Sequence, residues 1–224
     1  MTSHLHREME KLKRMLLLLT ADVSESLHKA VKAVAESDSA LAQSVCDYDE
    51  RIDDMEVEIE EECLKILALH QPVAIDLRFI VTVLKMNRDL ERIGDFSVSI
   101  ASKASRLASY NRRKEFLNLP AMAEKAQRML KEAVDALVEM DAAKALAVLG
   151  KDDELDAMKR AASQALRERL NGHPEEAQYL LDLLSIARHV ERSGDHVTNI
   201  AEDLIYMIEG KIVRHHTTEL IGGM

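Results

Sequence analysis

Two stretches decide the fold: LKMNRDLERIGDFSVSIA (Leu84–Ala101) and LSIARHVERSGDHVTNIA (Leu184–Ala201), 100 residues apart. Eight of their eighteen positions are identical, and both hold the run Glu-Arg-x-Gly-Asp, Glu91 to Asp95 and Glu191 to Asp195. Both read as the interior of a long helix. Glycine disfavours a helix interior by about 1 kcal/mol relative to alanine, and a carboxylate disfavours a buried face. Yet stepping about 100° per residue from Leu90 puts Ile80, Leu84, Val98 and Ala101 on one side with Glu91 amid them. Leu184, Glu191 and Thr198 repeat the pattern. Both glutamates therefore face inward, and something must compensate for the glycine and the charge.

The repetition extends outward. Asp49-Glu50-Arg51-Ile52-Asp53 matches Asp152-Asp153-Glu154-Leu155-Asp156 at an offset of 103, as Met55 matches Met158 and Asp38-Ser39-Ala40 matches Asp141-Ala142-Ala143. Pro72, Pro120 and Pro174 fall between periodic stretches, where proline is tolerated, and Glu36 to Ser39 reads as a turn followed by an N-cap. Six helices are predicted, at roughly 2–36, 39–70, 73–111, 118–139, 142–171 and 175–210. The fold class is all-α, a tandem repeat of two three-helix bundles. The units are expected at 1–113 and 114–214, with a C-terminal tail at 215–224.

Composition agrees. Of 224 residues 47% are hydrophobic, only 3% aromatic and 31% charged, with 7 Gly, 3 Pro and no Trp; such usage marks helical proteins. A net charge of −10 argues against a nucleic-acid partner, which calls for a basic patch, and suits cation binding and a cytoplasmic location. Cys46 and Cys63 have no metal or redox spacing, and Cys63 reads as a reduced core residue. The run Met15 to Leu19 is far too short to span a bilayer, and the charged start does not read as a signal peptide. There is no glycine-rich phosphate loop, no Ser/His/Asp set and no partnered cysteine nucleophile, so an enzyme is not expected and nothing in the sequence points to direct phosphate binding.

Folding each hairpin about its proline turn brings the repeated motifs to one height. Asp49 and Asp53 then meet Glu91 and Asp95, and Asp152 and Asp156 meet Glu191 and Asp195. Four carboxylates converge in each unit. They suit hard or borderline cations such as Mg, Mn, Fe or Ca, with Gly94 and Gly194 leaving room beside them. The competing reading is ion pairing, with Arg88 and Arg92 near Asp95 and Arg188 and Arg192 near Asp195. Glu25-x-x-His28 matches half of a di-iron signature, and the second copy that chemistry needs is missing. His196 is either a further ligand or a packed helix histidine, Asn199 and Glu202 extend the second motif, and Arg112-Arg113-Lys114 reads as a solvated basic turn.

The paired ERIGD and ERSGD motifs, the upstream DERID and DDELD, and the ending Asn199 to Lys211 resemble the PhoU family of bacterial phosphate-uptake regulators over nearly the whole chain. The resemblance implies two similar three-helix bundles holding multinuclear metal clusters, iron or zinc first and Mg or Mn as alternatives. It maps the ligands onto Asp49, Asp53, Glu91, Asp95, Asp152, Asp156, Glu191 and Asp195. It implies a homodimeric negative regulator of the phosphate regulon at the inner membrane face, linking the ATPase PstB of the phosphate transporter to the sensor kinase PhoR. Alternatives are an accessory regulator of another phosphate transporter and a metal-binding bundle with no signalling role. Phe96 and Ser102 stand where the second unit has His196 and Glu202, so the two clusters need not be alike.

Overall fold

The structure is a computed structural model that describes residues 2–110 and 117–211. The expected boundary between 113 and 114, the Arg112-Arg113-Lys114 turn and the tail at 215–224 lie outside the described residues. All regular structure among the described residues is helical: α1 (Thr2–Glu36), α2 (Ser39–His70), α3 (Ala74–Ala101), α4 (Ala104–Ala108), α5 (Leu119–Glu139), α6 (Ala142–Leu149), α7 (Asp152–Gly172), a 3-10 turn (Pro174–Glu176) and α8 (Ala177–Glu209).

These elements occupy the six predicted segments, two of which are broken. The third segment stops at Ala101, where the Ser102 hydroxyl and the Lys103 ammonium both donate to the Ser99 carbonyl. Such side-chain bonds compete with the helical ladder. The fifth divides at Gly150-Lys151, after which three acidic residues open α7, where they favour the positive end of the helix dipole.

The turns repeat as the sequence does. Ser37 and Met140, 103 residues apart, both have positive φ, 59° and 54°. The next residue is in each case an N-cap: Asp38 accepts from Leu41 N at 2.9 Å, and Asp141 accepts from Ala143 N at 2.9 Å and Lys144 N at 3.2 Å. These caps meet backbone N–H groups that would otherwise go unpaired.

In the first unit α1, α2 and α3 pack together; in the second α8 packs on α5, α6 and α7. The units join through α3 against α8 and α1 against α5. Leu16, Ile59, Leu90, Ile93, Val190 and Leu204 are fully buried in one continuous core. Cys63 is in this core, where burial pushes its thiol up to about 12.

Helices α3 and α8 run antiparallel. Going up α3 and on into α4, Arg78 bonds to Met207, Thr82 to Asp203, Asp89 to His196 and Arg106 to Asp182. Shifting both members of Asp89–His196 by 100 residues, forward and back, gives His189–Phe96, whose rings also touch. The units are thus related by an approximate two-fold axis crossing this pair near Arg92 and Arg192. On the other side of the molecule Gln127 donates to the Ser24 carbonyl at 2.8 Å. These two residues are repeat equivalents at the 103 offset, so the axis passes there as well.

Candidate functional site

The repeated glycines set how closely the helices of each hairpin approach. A Cβ on Gly94 would lie 3.2 Å from Ile52 Cγ2 and 3.8 Å from Asp49 Oδ1. On Gly194 it would overlap Leu155 Cδ2 and lie 3.7 Å from Asp152 Oδ1. Ile52 and Leu155 are themselves repeat equivalents, and both are buried. The glycines therefore admit an apolar side chain from the neighbouring helix. The room expected beside a metal is filled by Ile52 and Leu155, with the aspartates next to them.

That approach gathers the carboxylates. In the first unit burial raises the Asp49 carboxyl, and Asp53 and Asp95 raise it further. Burial likewise raises Glu91, with Asp95 the next cause. In the second unit burial, then Asp195, Asp156 and Glu191, push Asp152 up to about 6. Asp195 is raised by burial, then by Glu191 and Asp156. Each unit thus holds its four acids within electrostatic reach of one another, on the two sides of the central α3–α8 pair.

Cations meet only part of this charge. Arg92 donates to Asp95 Oδ2 at 2.8 Å, and its Nε lies 3.5 Å from Glu91 Oε2. In the second unit Lys159 donates to Glu191 Oε1 at 2.6 Å and Arg160 to Asp156 Oδ2 at 2.9 Å. Ion pairing is therefore present: Arg92 meets Asp95 as expected, whereas in the second unit the partners are Lys159 and Arg160. Arg192 lies over the Phe96 ring, 4.7 Å from its centroid, instead of pairing with Asp195. Lys159 was not identifiable from sequence, because it reaches Glu191 across the hairpin; Arg160 stands at the i,i+4 spacing from Asp156 on α7.

Eight oxygen donors with self-repelling charge fit hard or borderline cations. The side chains are splayed. Among the described residues only His173, Glu175 and Glu176 bring three donor atoms within 4.8 Å of one another. Closing the acidic groups on an ion requires their carboxylates to turn inward. The His173 trio has a different role: Arg169 grips the buried Glu176 with two bonds, at 2.9 and 2.8 Å, across the α7–α8 turn.

His196 and Asn199 both point to the first unit. His196 Nδ1 lies 2.7 Å from Asp89 Oδ1, Asn199 Nδ2 lies 3.5 Å from the same oxygen, and the His196 ring packs on Phe96. Glu25 pairs with Lys29 at 3.4 Å on an exposed stretch of α1.

Comparison with known proteins gives this arrangement its context. The PhoU domain model matches residues 16–104 and again 119–204. The Pseudomonas putida "Phosphate-specific transport system accessory protein PhoU homolog" is 36% identical over 209 residues, 93% of this chain and 82% of that protein. Homolog 1 of Thermotoga maritima is 36% identical over 214 residues, 94% and 92% of the two chains. The crystal structure of PhoU from Pseudomonas aeruginosa superposes with a TM-score of 0.88 at 35% identity, covering 92% of this chain and 99% of that one. PhoU from Streptococcus pneumoniae gives 0.86 at 30% identity over 93% and 99%. With both repeats matched in order and the whole fold shared, the chain belongs to the PhoU family.

Proposed function

We propose that this chain is an accessory regulator of a phosphate-specific transport system and a negative regulator of the phosphate regulon. PhoU proteins are regulatory accessory proteins rather than enzymes. The observation that carries the reading is the match across 93% of the chain, both units included, to relatives named for that accessory role. In this reading the protein works in the cytoplasm as a homodimer at the inner membrane face and couples the transport ATPase PstB to the sensor kinase PhoR. No helix among the described residues is long and apolar enough to cross a membrane, which suits a peripheral role.

The two acidic groups would hold metal: Asp49, Asp53, Glu91 and Asp95 in one, Asp152, Asp156, Glu191 and Asp195 in the other. Iron or zinc is the first choice, with Mg or Mn as alternatives. Bound cations supply positive charge, which would offset the burial and mutual repulsion that raise Asp49, Glu91, Asp152 and Asp195 and tie α2 to α3 and α7 to α8.

The regulatory reading is tested by deleting the gene in phosphate-rich medium. A phosphate-starvation reporter should rise, and deleting the kinase as well should silence it. An unchanged reporter would overturn the reading. Elemental analysis tests the metal separately. Several equivalents per chain should be lost when Glu91, Asp95, Glu191 and Asp195 become alanine. A well-folded, metal-free wild type would leave the motifs as packing and ion-pairing elements.

A further inference from the structure

The approximate two-fold axis makes a demand on the α3–α8 seam that the side chains meet on one edge only. On that edge, acids face bases. Lys85 donates to Asp203 at 2.9 Å, and the buried Asp203 takes the charge. His196 meets Asp89 at 2.7 Å. Shifting these pairs by 100 residues gives their mates on the other edge, Lys103 with Ser185 and His189 with Phe96. In both mates the base is lost, to serine or to phenylalanine, and a base stands where the acid was.

Arg192 adds a second cation there beside Lys103, over the Phe96 ring that also packs on His189, with ring centroids 5.5 Å apart. Neither Lys103 nor Arg192 has an ion-pair partner within 4.0 Å among the described residues; Lys103 donates to the Ser99 carbonyl at 2.6 Å. The His189 Nδ1 atom is buried without a hydrogen-bond partner. Asp182, at the end of this edge, is held by two bonds from Arg106, at 2.7 and 2.6 Å. In a chain of net charge −10 this is a local surplus of positive charge, half-buried at Lys103 and exposed at Arg192. Burial also disfavours the charged form of Lys103, which an anion would restore.

We propose that Lys103, His189 and Arg192 form an oxyanion site that takes free phosphate. Lys103 and Arg192 both lie within electrostatic reach of His189, and the charge-assisted bonds that an ammonium and a guanidinium offer favour a multiply charged, many-oxygen acceptor. Phe96 forms an apolar floor that orients Arg192 and His189. The site is distinct from the acidic groups and of opposite charge, and its existence does not depend on the partners proposed above.

Equilibrium dialysis of the full-length protein against radiolabelled inorganic phosphate tests it, on protein as purified and again after chelation. Saturable binding is expected in both preparations. Lys103→Gln should weaken it about tenfold or more, as loss of a bond to a charged group does. Ser185→Asp, which sets an acid opposite Lys103 with the polarity of the Lys85–Asp203 pair reversed, should do the same by supplying an internal counterion. Lys85→Gln should leave binding unchanged, and circular dichroism confirms that each variant is folded. Absence of phosphate binding by the wild type would overturn the proposal, as would binding that both variants retain. So would binding of ATP in a parallel experiment without binding of the free ion.

Discussion

Asp152 carries the clearest conflict between fold and charge. It opens α7, where the helix dipole favours an acid, yet burial and the acids around it push its carboxyl up to about 6. A carboxyl with a raised folded-state pKa binds its proton more tightly in the native state. The contribution of Asp152 to native stability is therefore greatest below the ordinary carboxyl range and is lost as pH rises from about 4 to 6. Asp152→Asn removes the ionisable group. In metal-free protein at pH 7 it should stabilise by roughly 1 kcal/mol, allowing for solvent screening at a half-exposed site, and flatten this part of the profile. Urea denaturation at pH 4, 5, 6 and 7 measures both effects. The inward placement of Glu191 was legible from its helical position. So was the Arg92–Asp95 pair, but the partner of Glu191 was not, because helical spacing does not specify which cation across a hairpin is long enough to reach.

At the scale of the element, the glycine in each motif is a spacer between paired helices. Ile52 and Leu155 pack where a Cβ would go, and the two sites differ in tightness. Alanine improves helix propensity by about 1 kcal/mol at either position. At Gly94 this should roughly offset a 3.2 Å contact with Ile52, leaving Gly94→Ala near neutral. At Gly194 the buried Leu155 must repack, and overpacking of this kind costs about 1–3 kcal/mol, so Gly194→Ala should be net destabilising. Denaturation midpoints of the two variants should separate in that order. Helix identity and turns were readable from periodicity, proline and capping residues. The breaks at Ser102-Lys103 and Gly150-Lys151 were not, since apolar periodicity runs through both.

At the scale of the whole molecule, a few side chains pin one unit to the other across the approximate two-fold axis. Arg106 and Asp182 are 76 residues apart in sequence, and Asp182 is only 4% exposed, whereas the Arg106 side chain is 50% exposed. Removing the arginine strands a buried carboxylate, and removing the carboxylate leaves an arginine that water can reach. Arg106→Ala should therefore cost about 3 kcal/mol, in the range for an uncompensated buried charge, and Asp182→Asn about 1–2 kcal/mol. Thermal unfolding of the two variants at neutral pH should show that asymmetry, and equal shifts would mean that Asp182 is more hydrated than its burial indicates.

By itself the sequence determined the helices, the duplication and the level at which the acidic motifs meet, because these depend on local periodicity and on short turns that fold one helix back on the next. Only the tertiary structure decided how the units face each other. The seam of α3 against α8 joins residues about 100 or more apart, and its register depends on the rotation of each helix once every apolar face is buried. That rotation put Asp89 against His196 and left Lys103 and Arg192 without an ion-pair partner among the described residues. Duplication alone would have made the two edges alike. The structure shows which substitutions since then changed the charge of one of them.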